Sequence, residues 1–359
     1  MEYINDFIWK NGMNVKDLVN SYKNLGFQSI ELKKASDVIV KMKKDNAKIF
    51  LTFTSNMVTS GLRGFFAQLI SLKMADIIVT TVGGIEEDIM KASGEKFCIG
   101  KFDSDDVELH EKGINRIGNI LVKNESYMHF EDMINKILNS AYQKQKRWAV
   151  SDLLKEIGLS LNDKSSILYQ AAKNNVPIFC PAITDGAFGF HLYLFQQKHD
   201  DFIVDVVKDF GNILFVTSFD EKKGVIALGG SISKHHAILS TLLNGGADYA
   251  VYMTTAHKTS GSMSGATTEE AKSWGKVKDE SDIATVIGDV TITFPLAMIN
   301  ALEQLDEEKL LAQKDSAKTH KTKTQSTKDS AGQYKGISVE EKPSQSLKNL
   351  EGYKKNVKS

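Results

Sequence analysis

The sequence has few cysteines, no long apolar run and no net charge, and each of these shortages excludes a class of protein. Its 359 residues include only Cys98 and Cys180, which have neither metal-ligand spacing nor a pairing pattern. No stretch approaches the roughly 18 apolar residues of a membrane-spanning helix, and the start, MEYINDFIWKNGMN, lacks the order of a signal peptide. A formal net charge of zero indicates neither a nucleic-acid nor a membrane partner. We expect a cytoplasmic protein with reduced thiols, of which Cys180 lies buried in an apolar run.

The last part of the chain differs in composition from the rest. From about Gln313 onward it has almost no large aliphatic side chains and many lysine, serine, threonine and glutamine residues. Such a segment cannot bury enough apolar surface to offset the entropy lost on ordering. We predict a folded domain at residues 1–312 and a disordered basic tail at residues 313–359. Because the whole chain is neutral, the folded part is mildly acidic, which suits a cationic ligand.

One local pattern recurs along the folded part: a short β-branched run, a turn with glycine or asparagine, and then a helical period. Apolar runs that alternate with helices in this way predict an α/β fold, a mostly parallel sheet with helices on both faces. An N-terminal helical segment is expected at residues 14–44 and a further helix at 130–146. The predicted strands are residues 47–53, 76–81, 176–183, 224–228, 248–255 and 288–293.

Polar and glycine-rich turns follow these predicted strands, as in TSNM, TTVGGIEED, TDGAFG, GGSISKHH, TTAHKTSGSMSGA and GDVT. In an open parallel sheet, ligands bind beyond the carboxyl ends of the strands, where turn amides and helix N-termini converge. We therefore expect one shared crevice, most commonly occupied by a nucleotide in such folds. No G-x-G-x-x-G follows any strand, however, and a pair of glycines can also be turn chemistry alone.

Seven blocks in these turns resemble the signature segments of the deoxyhypusine synthase family. They are, in order, TSNMVTSGLR, TTVGGIEEDIMK, NNVPIFCPAITDGAFG, GGSISKHH, GADYAVYMTTA, GSMSGA and EEAKSWGK. The resemblance extends over roughly residues 7–311, and it implies a Rossmann-like NAD-binding domain, typically a homotetramer with active sites at subunit interfaces. It also implies NAD-dependent transfer of the 4-aminobutyl group of spermidine, or a related polyamine, to a lysine of translation initiation factor 5A. In that reaction an enzyme lysine carries the group as an imine.

The resemblance assigns the catalytic roles to Lys276 and His235. A lysine attacks only when desolvation or nearby cations lower its pKa, and an imidazole with a pKa near 6.5 suits amine deprotonation. Trp274 would supply a dry wall beside the lysine, and Gly275 would let the backbone approach the substrate. Without the flanking blocks a solvated surface lysine would be the commoner reading. Adjacent histidines point to different faces of a helix, so no metal site is expected at His235 and His236.

Other family positions in this sequence are implied to bind the substrate and the cofactor. Acidic residues in the first turn of a helix are also favoured by the helix dipole, which is the alternative reading for Glu86 and Glu87, and Asp185 could simply form an Asx turn. The substrate positions are Glu86, Glu87, His235, Tyr252, Gly261, Ser262, Glu270, Trp274 and Lys276. The NAD positions are Ser55, Asn56, Met57, Val58, Thr59, Thr81, Val82, Gly83, Glu87, Asp185, Thr255, Ala256, Asp289 and Val290.

The sequence departs from the family pattern at three usually polar positions, which here are Phe190, Leu239 and Met263. Each lost polar group removes a partner for a desolvated ammonium, at a cost on the order of a few kcal/mol. Two accounts fit: a divergent deoxyhypusine synthase, or a paralogue that performs the same chemistry on a free amine, as in homospermidine synthesis. A non-catalytic NAD-binding scaffold ranks third, because it would have little chemical need for Lys276 or His235.

Overall fold

A six-stranded sheet forms the centre of the protein in the computed structural model, which describes residues 2–305. The predicted tail at 313–359 and the end of the predicted domain lie outside the described residues. The strands of all sheets are β1 Lys48–Phe53, β2 Ile77–Thr80, β3 Cys98–Ile99, β4 Ile114–Ile117, β5 Ile120–Lys123, β6 Arg147–Ala149, β7 Ile178–Phe179, β8 Ile203–Asp205, β9 Lys223–Leu228, β10 Ala247–Thr254 and β11 Val277–Ile287. The central sheet has the order β11-β10-β9-β1-β2-β7, and all its pairings are parallel.

Counted in chain order, the six central strands run 3-2-1-4-5-6 across the sheet, which is the doubly wound Rossmann order. The expected α/β, Rossmann-like architecture is therefore confirmed. In this order the connection reverses direction between β1 and β9, and ligands of doubly wound folds bind at the carboxyl ends of the strands at that point. Thr54 and Gly229 follow these two strands, and the Cβ position of Gly229 lies 3.3 Å from Thr54 Oγ1.

Helices cover both faces of the sheet, as the alternating pattern predicts. The expected N-terminal helical segment and the helix near residues 130–146 are both present. The helices are α1 Val15–Ser21, α2 Gln28–Lys44, α3 Ser55–Met57, α4 Arg63–Ser71, α5 Val82–Ala92, α6 Asp106–Glu111, α7 Asn124–Lys144, α8 Val150–Ser160, α9 Ile167–Asn174, α10 Ala187–Lys198, α11 Val206–Leu214, α12 Ser231–Leu243, α13 Thr268–Ser273 and α14 Val290–Gln304. Among the described residues, none of these helices is both long and apolar enough to cross a membrane.

The two faces of the sheet pack into two separate apolar cores. Alternate residues of β10 point to opposite faces, so that Val251 and Met253 join one core, whereas Ala250 and Tyr252 join the other. Helices α2 and α14 pack on the first face, and α12 and α13 pack on the second. Cys180 is buried and unpaired, as expected from its apolar run. The face that carries Tyr252 is the one on which the candidate site is built.

The predicted strand at residues 288–293 is wrong, because these residues form the start of α14. Valine, threonine and isoleucine favour a strand there, but Asp289 caps a helix by accepting a hydrogen bond from the Thr291 N–H at 2.8 Å. The sixth strand is β11, whose first half, VKDES, is too polar to predict a buried strand. The prediction at 176–183 also exceeds the observed strand β7. Two small sheets, β3-β5-β4 and β6-β8, were not predicted at all.

Candidate active site

Lys276 enters the site from a tight turn at the end of α13. The Gly275 N–H donates to the Lys272 carbonyl at 2.8 Å, and the Lys276 N–H donates to the Ala271 carbonyl at 3.1 Å. These two bonds make a Schellman motif, which holds Gly275 in the left-handed region at φ +69°. A side chain is strained in that conformation, so the turn itself requires glycine. The turn, rather than a close approach to substrate, accounts for this glycine.

A cavity of about 280 Å³ lies between α12, α13, the end of β10 and the loop that follows it. It is large enough to hold a short aliphatic amine, and both apolar and polar side chains line it. Seven of the nine predicted substrate positions meet there, since only Glu86 and Glu87 are absent from the lining. The lining residues are Lys234, His235, Ile238, Tyr252, Gly261, Ser262, Met263, Ala266, Thr267, Glu270, Ala271, Trp274 and Lys276.

The side chain of Lys276 is desolvated within this cavity. The residue is 7% exposed, and its Nζ atom lies 4.8 Å from the centroid of the Trp274 ring. Burial lowers the pKa of Lys276, while the Glu270 carboxylate opposes that shift. A lowered pKa increases the fraction of neutral amine, which is the nucleophilic form. Trp274 itself is 64% exposed, so it forms an edge of the cavity that remains open to the surface.

Tyr252 forms part of the cavity wall and carries a polar group without a partner. The residue is 1% exposed, and its hydroxyl has no hydrogen-bond partner among residues 2–305. A buried hydroxyl without a partner costs free energy comparable to a lost hydrogen bond. A polar atom of a ligand bound in the cavity would satisfy it. This orphan hydroxyl is therefore an independent sign that the cavity takes a ligand.

The two adjacent histidines of α12 have different surroundings. His235 lines the cavity, and burial lowers its pKa, with a smaller contribution from the nearby Lys276 charge. His235 is therefore mostly neutral at pH 7 and able to accept a proton. His236 points away from the cavity, and its ring centroid lies 5.8 Å from that of Phe210. Burial lowers the pKa of His236 to about 4, which suits a neutral packing residue.

The loop between β10 and α13 is held against the start of α12 by a close backbone approach. A Cβ atom on Gly230 would lie 2.3 Å from Ser264, so only glycine fits at this point of the GGSIS turn. The Ser231 N–H also donates to Ser264 Oγ at 3.1 Å. Thr267 then caps α13 by accepting a hydrogen bond from the Glu270 N–H at 3.2 Å. The TTEE segment thus fixes where α13 begins, and α13 places Glu270 in the wall of the cavity.

The predicted cofactor positions lie elsewhere, along the carboxyl edge of the sheet. Ser55 after β1 and Thr81 after β2 are joined by a hydrogen bond of 3.0 Å from Ser55 N–H to Thr81 Oγ1. At the other end of the sheet, the Gly288 N–H donates to the Thr254 carbonyl at 3.0 Å and brings the turns after β10 and β11 together. Asp185 is exposed in the turn after β7. None of the predicted cofactor positions lines the Lys276 cavity.

Glu86 and Glu87 are buried in the first half of α5, each 6% exposed. Glu86 accepts a hydrogen bond from the Phe188 N–H at 2.7 Å, which joins α5 to the start of α10. Both carboxylate oxygens of Glu87 lie within 2.7 Å of Thr59 Oγ1, and that hydroxyl also lies 3.1 Å from the Ser55 carbonyl. One hydroxyl proton cannot serve all three acceptors. A protonated Glu87 solves this, because it donates to Thr59 and leaves the hydroxyl proton for Ser55.

Replacing Glu87 by glutamine is expected to flatten the pH dependence of stability. Burial raises the pKa of Glu87 from 4.5 to about 7. The folded protein therefore retains a proton that the unfolded chain releases, so the stability from this group is complete below pH 4.5. It is lost as the pH rises through about 7. From pH 5 to pH 7.5, the free energy of unfolding measured in urea should fall by about 1–3 kcal/mol more in the wild type than in Glu87→Gln. Equal losses in the two proteins would contradict this, and the exposed Glu111→Gln serves as the control.

One ionisable residue of the cavity was missed by the sequence reasoning. Lys234 is fully buried and lies beside His235, yet nothing in the KHH segment distinguished it from a surface lysine. Of the three unusual apolar positions, only Met263 lines the cavity, whereas Phe190 is 58% exposed and Leu239 is half-buried outside it. Within residues 2–305, no three histidine, cysteine or acidic side chains are grouped so as to hold a metal ion.

The fold and the cavity together define a doubly wound α/β protein with a desolvated lysine in a cavity. The family profile of deoxyhypusine synthase matches residues 17–301, which lie inside the predicted folded domain. The chain is 42% identical over 286 residues to a Thermoplasma volcanium protein assigned as a deoxyhypusine synthase, covering 79% of this chain and 92% of that protein. It is 38% identical over 323 residues to the deoxyhypusine synthase of Senecio vernalis, covering 82% and 87%.

A solved structure agrees with these sequence matches. The crystal structure of an Entamoeba histolytica protein, also assigned as a deoxyhypusine synthase, superposes with a TM-score of 0.60 at 30% identity. The match covers 83% of this chain and 96% of that chain. The chain therefore belongs to the deoxyhypusine synthase family.

Proposed function

We propose that the protein transfers the 4-aminobutyl group of spermidine to a lysine of translation initiation factor 5A, with Lys276 as the nucleophile. The observation that carries this proposal is the desolvated Lys276 amine, which shares a cavity with one carboxylate and one neutral imidazole. Imine chemistry on a carbon next to nitrogen needs a neutral amine and a base that can take its proton. Since the acceptor is a translation factor, we propose that the enzyme acts in the cytoplasm.

Four residues of the cavity have distinct roles in this reaction. Glu270 pairs with the terminal ammonium of the aminobutyl chain, and the Trp274 face covers the methylene groups. Lys276 forms a C=N bond to the carbon that is oxidised, and the diamine part of spermidine leaves with the electron pair and a proton. His235 moves that proton. The amine of the acceptor lysine then displaces Lys276 at the same carbon, which restores the free enzyme.

The carboxyl edge of the sheet has features that suit NAD, which would accept the hydride from spermidine and return it to the product. Helix α5 begins with the glycine-rich segment VGG, and its cap residue Thr81 makes no side-chain cap bond. Free N–H groups at a helix start favour a phosphate. A Cβ atom on Gly83 would lie 2.9 Å from Ser55 Cβ, so this glycine keeps the turns after β1 and β2 close together. We propose that Ser55–Thr59, Thr81–Gly83, Asp185, Thr255, Ala256, Asp289 and Val290 hold NAD.

Within one chain, the proposed NAD residues lie outside the Lys276 cavity. This separation supports an oligomer whose copies share their sites, and we propose a homotetramer. The Lys276 carbonyl accepts a hydrogen bond from the Ala247 N–H at 3.0 Å, so this part of the backbone lies at the amino end of β10. The cavity extends from there to Tyr252 on β10 and to Gly261 and Ser262 in the following loop, and none of the proposed NAD residues lines it. Hydride transfer needs the reacting atoms within roughly 3.5 Å. A second copy that presents its Lys276 cavity to the NAD crevice would bring them together.

Met263 favours a second candidate function in the same reaction class. It lines the cavity where the family usually has an acid, which leaves Glu270 as the cavity's one carboxylate among the described lining residues. A single carboxylate compensates one ammonium, so an extended polycation loses a contact. A paralogue acting on a free amine acceptor, as in homospermidine synthesis, would fit this reduced set.

One incubation separates the two candidates. The protein is mixed with NAD, spermidine labelled in its aminobutyl group, and unmodified initiation factor 5A, and the products are separated into protein and small molecules. Label on the factor is the expected result, and it should require NAD. Label that appears only in a new polyamine would replace the first candidate by the second. NAD binding without either labelled product would contradict both.

A further inference from the structure

Lys234 is a fully buried lysine that ties two elements of the cavity together. It is 0% exposed, and its Nζ atom donates to the carbonyls of Met263 at 3.1 Å and Ala266 at 2.6 Å. The same atom lies 4.0 Å above the ring of Tyr252, which favours a cation. Burying a lysine is costly unless its charge is compensated. These three contacts compensate the buried ammonium of Lys234.

These contacts act on the part of the loop that shapes the cavity. Met263 and Ala266 belong to the segment that connects Ser262 to Thr267, and Thr267 caps the helix that carries Glu270. Lys234 therefore connects α12, which carries His235, with the loop that carries the cap. Loss of the ammonium would leave two buried carbonyls without this donor and would free the loop to move.

The charge of Lys234 also lies on the wall of the cavity that contains Lys276. The titratable groups facing Lys276 are Lys234 and His235 from α12, Glu270 from α13 and Tyr252 from β10. Burial lowers the pKa of Lys234 to about 8, with Glu270 and Lys276 acting in opposite directions. Most Lys234 side chains are thus still charged at pH 7. The Lys276 charge lowers the pKa of Lys234, and because charge repulsion is mutual, the Lys234 ammonium disfavours the charged form of Lys276, whereas Glu270 favours it.

We propose that Lys234 is a positioning residue of the transfer reaction: its ammonium fastens the Met263–Ala266 loop to α12 and holds a positive charge that favours the uncharged Lys276 amine. This inference rests on the function proposed above, in which Lys276 is the nucleophile. Lys234 acts through the loop and through Lys276, so its own bonds to substrate are not needed.

The test measures imine formation at Lys276 directly, without NAD. The probe is butanal, which has the same four-carbon chain but no amine with which to cyclise, and its carbonyl carbon condenses with the Lys276 amine to form C=N with release of water. Borohydride then reduces the C=N bond to a stable secondary amine, and mass spectrometry quantifies the peptide that contains Lys276. In Lys234→Met the pH midpoint of labelling is expected to rise by about one unit, so that labelling at pH 7 falls about tenfold. Lys234→Gln, which keeps an N–H donor but no charge, should shift the midpoint in the same direction.

Lys223 provides a matched control elsewhere in the fold. It is also 0% exposed, and its Nζ atom donates to the carbonyls of Ser218 at 2.7 Å and Glu221 at 2.6 Å. Lys223→Met makes the same kind of lesion outside the cavity, so it should lower stability in urea and leave the labelling midpoint unchanged. The proposal is overturned if Lys234→Met or Lys234→Gln labels with the wild-type midpoint. If wild-type Lys276 is not labelled at any pH, the proposed function fails instead.

Discussion

Replacing Lys276 by alanine is expected to abolish aminobutyl transfer while leaving NAD binding nearly intact. The alanine has no amine to carry the imine, and the other amine of the cavity, Lys234, is held by hydrogen bonds to the Met263 and Ala266 carbonyls. Removal of a covalent nucleophile commonly costs roughly 10⁴-fold or more in turnover. The cofactor positions lie at the carboxyl edge of the sheet and none lines this cavity, so they should keep their geometry. Transfer assays with labelled spermidine and titration of NAD fluorescence measure the two effects separately.

A lysine in the same segment provides the control for this variant. Lys272 lies in α13 and pairs with Glu269 at 3.2 Å, outside the cavity lining. Lys272→Ala should retain transfer close to the wild-type rate. Lys276→Arg keeps the positive charge but cannot form the imine, so it should be as inactive as the alanine variant. Substantial transfer by Lys276→Ala would overturn the assignment of the nucleophile.

Two inactive variants are expected to restore activity when they assemble together. Lys276→Ala removes the nucleophile, and Asp185→Ala removes an exposed carboxylate that we propose binds NAD. If each site combines the NAD crevice of one copy with the Lys276 cavity of another, a mixed dimer contains one intact site. Mixed dimers purified away from the unmixed ones should then have about half of the wild-type activity, because one of their two sites works.

The two variants should be co-expressed with different tags, so that mixed assemblies can be purified through both. Each variant purified alone serves as the baseline, and wild-type protein carrying both tags sets the upper limit. Mixed assemblies that are no more active than the sum of the baselines would show that each site is complete within one chain. That result would contradict the shared site but leave the role of Lys276 intact.

Much of the fold was predictable because strand and helix periods are local properties. The runs around Phe50, Ile78 and Val225 are mostly apolar and do not alternate with polar residues, as expected for strands buried on both faces. The prediction failed at the last strand, because Val277–Ile287 begins with charged residues and is recognisable only by its pairing with β10. Residues after Gly288 have strand propensity, but the Asp289 cap makes them helical.

The candidate site was predictable residue by residue but not as an arrangement. The blocks around Lys276, His235 and Glu270 identified the residues, and all three line one cavity. Glu86 and Glu87 were assigned to the same substrate, yet they lie in α5 after β2. In the sheet, β2 lies on the opposite side of the β1–β9 pair from β10, which carries Tyr252. Sequence blocks indicate candidate residues but contain no distances. They could not show that, within one chain, Glu86 and Glu87 lie outside the cavity that Lys276, His235 and Glu270 line.

The sequence by itself determined the α/β class, the family resemblance and the choice of Lys276 as the candidate nucleophile, because these depend on local period and on residue type. Only the tertiary structure decided why Gly275 is a glycine, that Lys234 is buried in the same cavity as Lys276, and that Met263 alone of the three unusual residues faces the cavity. Burial and hydrogen-bond partners arise from contacts between segments far apart in the chain, and those contacts set the pKa of Lys276 and Lys234.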